Sequence, residues 1–113
     1  MGVIVALILE IAMTTGINPL FVTSVAAVEI RYYSDISTWD DSETVRTNCQ
    51  SLKKIISIPE MNTYWIVCVY RHAGYYGFVN GKPRESSLEY ADRVMEQWHK
   101  LQGKNTPVII IRQ

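Results

Sequence analysis

Charge of one sign is the first thing this sequence lacks. Eleven Lys and Arg residues balance eleven Asp and Glu residues in a chain of 113. Phosphate backbones are held by a basic excess, so the balance argues against nucleic acid as a partner. There is no polybasic run in the sequence to hold an anionic membrane surface. Cysteine is scarce as well. Cys49 and Cys68 form no C-x-x-C pair, which excludes a zinc ribbon or a thioredoxin-type motif. Cys68 sits inside the apolar run Trp65–Val69, and Cys49 lies on the apolar face of a predicted helix. Both read as buried apolar thiols, with a disulfide in an oxidising compartment as the alternative. G-x-S-x-G, H-E-x-x-H and Walker A sequences are all missing, and no motif implies a cofactor. Gly74-Tyr75-Tyr76-Gly77 lacks the Gly-Lys-Ser/Thr ending of a phosphate loop. No internal repeat or low-complexity segment is present. What remains is a composition of a globular kind, 48% hydrophobic and 11% aromatic.

Charge is thinnest at the start. From Met1 to Val28 the one charged side chain is Glu10. Val3–Leu9 is unbroken apolar sequence, Ile11–Met13 extends it, and Asn18-Pro19 marks a turn before Leu20–Val28. Three readings fit. One is an export signal with Val25-Ala26-Ala27 as its small-residue cleavage site, though without the usual basic start. A second is an uncleaved membrane anchor, which would have to continue through Gly16 and Pro19 with Glu10 inside at a cost of about 2.5–3.5 kcal/mol. The third is a segment buried in the fold. The expected organisation is an apolar leader or anchor over 1–28 and an α/β domain over 29–113.

Beyond the leader, hydrophobic periodicity predicts alternating elements. Val28, Ile30 and Tyr32 alternate with Glu29, Arg31 and Tyr33, the pattern of a strand with one wet face. Ser34–Asp41 reads as a polar loop. Asp41 or Ser42 can N-cap a helix whose stripe is Val45, Cys49, Leu52 and Ile56, stopped by Pro59. Tyr64–Tyr70 is apolar on both faces and rich in β-formers, so it reads as a central strand. His72–Arg84 carries three glycines and Pro83 and reads as a loop. Ser86 with Glu89 forms a capping-box pattern, and Leu88, Ala91, Met95 and Trp98, widened by Val94 and Leu101, form the stripe of a second helix ending before Gly103. After Pro107, Val108–Ile111 reads as a strand. The order is β-α-β-α-β, which predicts a small α/β layer domain with parallel neighbours.

Candidate chemistry gathers just past the carboxyl end of the predicted central strand, where ligands bind in open α/β sheets. Tyr70, Arg71, His72, Tyr75 and Tyr76 lie there and carry groups suited to anion binding or proton transfer. The plainer alternative is a surface loop whose tyrosines pack on the core. His99 near a helix end suits the dipole. Asp35, Asp40 and Asp41 offer oxygens for a cation, but capping and turn chemistry explain them, and no metal site is assigned. Trp39, Trp65 and Trp98 read as core anchors.

The segment Leu88-Glu89-Tyr90-Ala91-Asp92-Arg93-Val94-Met95-Glu96-Gln97-Trp98 resembles the second helix of TPM domains, nearest the thylakoid-lumen members associated with photosystem II repair. The helix–strand–helix–strand order over 33–113 is similar to that family's, and Asp35–Glu43 loosely resembles its lead-in to the first helix. The family's acidic, glycine-containing stretch, credited with metal binding, has no counterpart in this sequence, so the resemblance assigns no catalytic residue here. It implies an extracytoplasmic, membrane-associated place, in a thylakoid lumen or periplasm. It also implies a role as an accessory domain assisting assembly or maintenance of a membrane protein complex such as photosystem II. Two alternatives stand beside it: a non-enzymatic structural subunit of such a complex, and a soluble α/β enzyme or ligand-binding domain using the Tyr70–Tyr76 loop.

Overall fold

A computed structural model describes residues 2–79 and 81–103, apart from the side chains of 2, 3, 75, 76 and 79. It divides into two compact units, Met1–Lys54 and Ile55–Gln113. Among the described residues there is no β-strand; the elements are five α-helices and one 3₁₀ turn. The expected α/β layer is therefore corrected to an all-helical fold.

In the first unit, α1 (Gly2–Thr15) and α2 (Pro19–Tyr33) pack on each other as a hairpin. Local chemistry sets the turn. Gly16 takes φ +82, and the amides of Gly16 and Ile17 both donate to the Ala12 carbonyl at 2.9 and 3.0 Å. Asn18 then caps α2, its Oδ1 accepting from the Leu20 amide at 2.9 Å, with Pro19 at the first helical position. Asn18-Pro19, read as a turn signal, stands at the turn between the two helices and also starts α2. Ile8, Ala12, Phe21, Val22 and Val25 fill the seam, fully buried. Each large apolar side chain so placed contributes about 1.5–3 kcal/mol. No helix among the described residues is long and apolar enough to cross a membrane.

The predicted strand Val28–Tyr33 is the last part of α2. Six residues of alternation are too few to separate period 2 from period 3.6, and Val28 and Glu29 are both buried although the alternation puts them on opposite faces. The boundary read after Val28 falls inside this helix. Ser34 ends α2 in the left-handed region at φ 54, its amide donating to the Glu29 carbonyl. A single 3₁₀ turn, Ile36–Thr38, leads to Trp39, which is fully buried and donates from Nε1 to Glu29 Oε1 at 3.1 Å.

Helix α3 (Ser42–Ile56) follows. Asp41 Oδ1 accepts from the Thr44 amide at 2.8 Å and the Thr44 hydroxyl bonds back to Asp41, a cap of the expected kind. Val45, Cys49 and Leu52 are fully buried as the stripe requires. At its other end Lys53 Nζ donates to the Thr15 carbonyl at 2.6 Å, placing a cation on the C-terminus of α1.

The second unit is built on α4 (Tyr64–Val79) and α5 (Glu85–Gln102), which pack together. The predicted central strand Tyr64–Tyr70 is the first half of α4. Thr63 caps it, its Oγ1 accepting from the Ile66 amide at 3.2 Å. Val67, Cys68 and Val69 are all buried, so the segment is covered on several sides as a strand would be, but in a helix. Gly74 breaks α4 with φ 76 and ψ 172, backbone that glycine alone adopts readily. His72–Val79, expected as loop, is thus helix on both sides of a kink. In α5 the buried face is Ser87, Tyr90, Ala91, Val94 and Trp98, rotated from the expected stripe; Leu101 is exposed. Tyr64 and Trp98 meet edge to face at 4.8 Å, a pair worth about 0.5–1.5 kcal/mol beyond its area. The predicted strand Val108–Ile111 lies outside the described residues.

Candidate functional site

The second unit holds a cavity of about 420 Å³ between the Gly74 kink and the start of α5. His72, Ala73 and Gly77 line it from α4, and Gly81, Lys82, Arg84, Ser86 and Ser87 line it from the connection and the first turn of α5. His72 Nδ1 and Ser87 Oγ lie 2.8 Å apart and share a hydrogen bond. The imidazole also lies against Tyr90, ring centroids 5.1 Å apart at 32°. Ser87 is buried while His72 is exposed, so the pair joins the core to the cavity.

The expected capping box does not form. Arg84 occupies the N-cap of α5 and makes no side-chain capping bond, while Ser87, three residues on, turns to His72. The amides of Ser87 and Leu88 donate to the Arg84 carbonyl at 2.9 and 3.3 Å. The first turn of α5 therefore presents its positive dipole end beside Lys82 and Arg84. No carboxylate is among the described lining residues. Glu85, the acid nearest in sequence, is exposed at the first helical position and does not line the cavity.

Of the five residues expected to bind, His72 alone lines this cavity among those described. Tyr70 packs its ring on Phe78 across the kink, centroids 5.4 Å apart. Arg71 is half-buried and away from the lining. The side chains of Tyr75 and Tyr76 lie outside the described residues. Lys82, Arg84, Ser86 and Ser87 were not expected as site residues. Their signal was the basic pair directly ahead of a predicted helix start with two serines in its first turn.

The remaining candidates fall elsewhere. Asp41 caps α3, and no group of three or more His, Cys, Asp or Glu among the described residues is placed to hold a metal ion. Cys49 and Cys68 are both buried, and no disulfide joins them. Trp39 and Trp98 are core residues, whereas Trp65 donates at the surface to Asp92 Oδ1 at 2.8 Å. His99 is in the last turn of α5, its carbonyl accepting from the Gly103 amide at 3.0 Å. Leu88–Trp98, the stretch that resembles TPM domains, is helical within α5, but Tyr64–Tyr70 ahead of it is helix where that family has a strand. No family model, curated protein or solved structure matches the chain.

Proposed function

We propose that this protein binds a small phosphoryl-bearing ligand in the cavity between the α4 kink and the start of α5. One observation carries the reading: Lys82, Arg84, His72, two serines and the uncapped start of α5 converge on one open space with no acidic side chain in its described lining. A phosphoryl group is a dianion with several acceptor oxygens. Two cations, hydroxyls and helix amides answer that chemistry directly. The role is that of a binding module, with His72 and Ser87 holding each other in place at its wall.

The accessory role beside a membrane complex draws on Leu88–Trp98 alone. Tyr90, Ala91 and Trp98 in that stretch are buried. Packing of α5 on α4 accounts for their spacing.

Titration of the full chain with inorganic phosphate and with phenyl phosphate, followed by amide chemical shifts, tests the reading. Saturable shifts centred on His72, Ser86 and Ser87 are expected. Replacing Lys82 and Arg84 together by Ala should weaken binding by about ten-fold or more, since each charge-assisted bond is worth roughly 1.5–3 kcal/mol. Absence of saturable shifts up to about 10 mM ligand, a range that detects even millimolar affinity, would overturn it.

A further inference from the structure

We infer that the turn joining α1 and α2 docks on an anionic lipid surface. This stands on residues of the first unit and is independent of the cavity. Large apolar side chains are exposed on both sides of the turn: Leu9 at 42%, Met13 at 72% and Leu20 at 38%. Leu9 and Met13 are four apart and share one face of α1. Exposed apolar residues of this size, close to a turn, are the sort that insert into the boundary between headgroups and acyl chains.

The turn is also prepared for a surrounding with little water. The Thr14 and Thr15 hydroxyls donate to the Ile11 carbonyl at 3.0 and 2.7 Å. The Gly16 and Ile17 amides donate to Ala12, and Asn18 Oδ1 accepts from Leu20. These polar groups are thus paired internally, which lowers the cost of their leaving water.

The third observation decides which surface. Lys53 donates to the Thr15 carbonyl, so the fold brings the end of α3, with exposed Lys53 and Lys54, to this same turn. The sequence has no polybasic run, yet tertiary structure sets Lys53 at the apolar tip, with exposed Lys54 the next residue of α3. Apolar insertion together with basic charge is the pair of signals that peripheral attachment to anionic lipid needs. Most acids stand back from it: Glu10 is exposed between Leu9 and Met13 in sequence and sets one negative charge against the lysines, whereas Asp35, Asp40, Asp41 and Glu43 follow the far end of α2, about 22 Å of helix away. With α1 of 14 residues and α2 of 15, the hairpin rests on the surface and does not cross it.

Sedimentation of the full chain with vesicles tests this, using phosphatidylcholine alone and phosphatidylcholine mixed with phosphatidylglycerol. The chain should pellet with the mixed vesicles and at least about ten-fold less with the neutral ones. Met13→Glu combined with Leu20→Glu should reduce pelleting by about ten-fold or more, and Lys54→Ala by about five-fold. Both apolar sites are exposed and Glu suits the first turn of α2, so unchanged helical circular dichroism is the folding control. No pelleting with mixed vesicles, or pelleting that survives the double substitution, would overturn the proposal. So would self-association that Met13→Glu abolishes without vesicle binding, which would give the face to a second copy of the chain.

Discussion

The two units each carry a hydrogen bond that ties distant side chains together, and the two bonds differ in what surrounds them. In the first, Trp39 Nε1 meets Glu29 Oε1, and both side chains are buried. In the second, Ser87 is as buried as Trp39, but its partner His72 is exposed at the wall of a cavity. A polar pair sealed from water acts as a staple, because breaking it strands a buried group. A pair with one wet member costs less to break and stays open to a ligand. Surroundings, more than the pair of residue types, separate a structural contact from a candidate site.

The comparison is sharpest at Trp39. Trp39→Ala empties a buried site and leaves Glu29 without its indole donor, so a loss of about 3–5 kcal/mol is expected in urea unfolding. Trp39→Phe keeps most of the ring and should cost about 1–3 kcal/mol. Ser87→Ala should cost no more than about 1 kcal/mol. Equal losses for Trp39→Phe and Ser87→Ala would erase the distinction between the two pairs.

The next largest effect lies in the glycines. Gly16 and Gly74 both have positive φ, at 82 and 76. A Cβ at Gly16 would meet the movable Lys53 Nζ at 2.6 Å, whereas at Gly74 nothing lies within 4 Å. Space alone would favour substitution at Gly74, but ψ of 172 puts that residue where other side chains rarely go. Gly74→Ala is therefore expected to destabilise by about 1–3 kcal/mol and to perturb the shifts of His72 and Ser87. A neutral Gly74→Ala would mean that the kink is not set by its backbone.

The smallest expected effect is at alkaline pH. Burial raises the Tyr64 phenol above its ordinary value of 10.0. The unfolded chain then releases this proton at lower pH than the folded one. Its contribution is present below about pH 10 and is lost as pH rises from there through the folded value. Tyr64→Phe should flatten this part of the fall in stability above pH 10, measured by unfolding midpoints against pH. An identical fall in the variant would place the alkaline sensitivity elsewhere.

How much was legible follows the same physics. Helices α3 and α5 were readable because polar residues mark one face of each, with Val45, Cys49 and Leu52 in one and Ala91, Val94 and Trp98 in the other. The segments read as strands that became helix, Val28–Tyr33 and Tyr64–Tyr70, were short or apolar on most sides. There the caps held the missing information: Asn18 with Pro19, and Thr63. At the site, His72 was legible as a polar group among aromatics. Ser87 was not, because its spacing also fits a helix start, and only the packing of α4 on α5 shows that its hydroxyl faces an imidazole 15 residues away.

The sequence by itself determined the stops and the amphipathic helices: Gly16 and Gly103 with positive φ after helix ends, a cap at Asp41 and the stripe of α3. These depend on residues within a turn or two of one another. Tertiary structure, together with the local caps, decided that the doubly apolar runs are helices, since burial rewards either conformation until a partner surface is chosen. Tertiary structure alone brought Lys53 to Thr15, 38 residues apart, and gathered Lys82 and Arg84 with His72. Nothing local in the chain encodes those meetings.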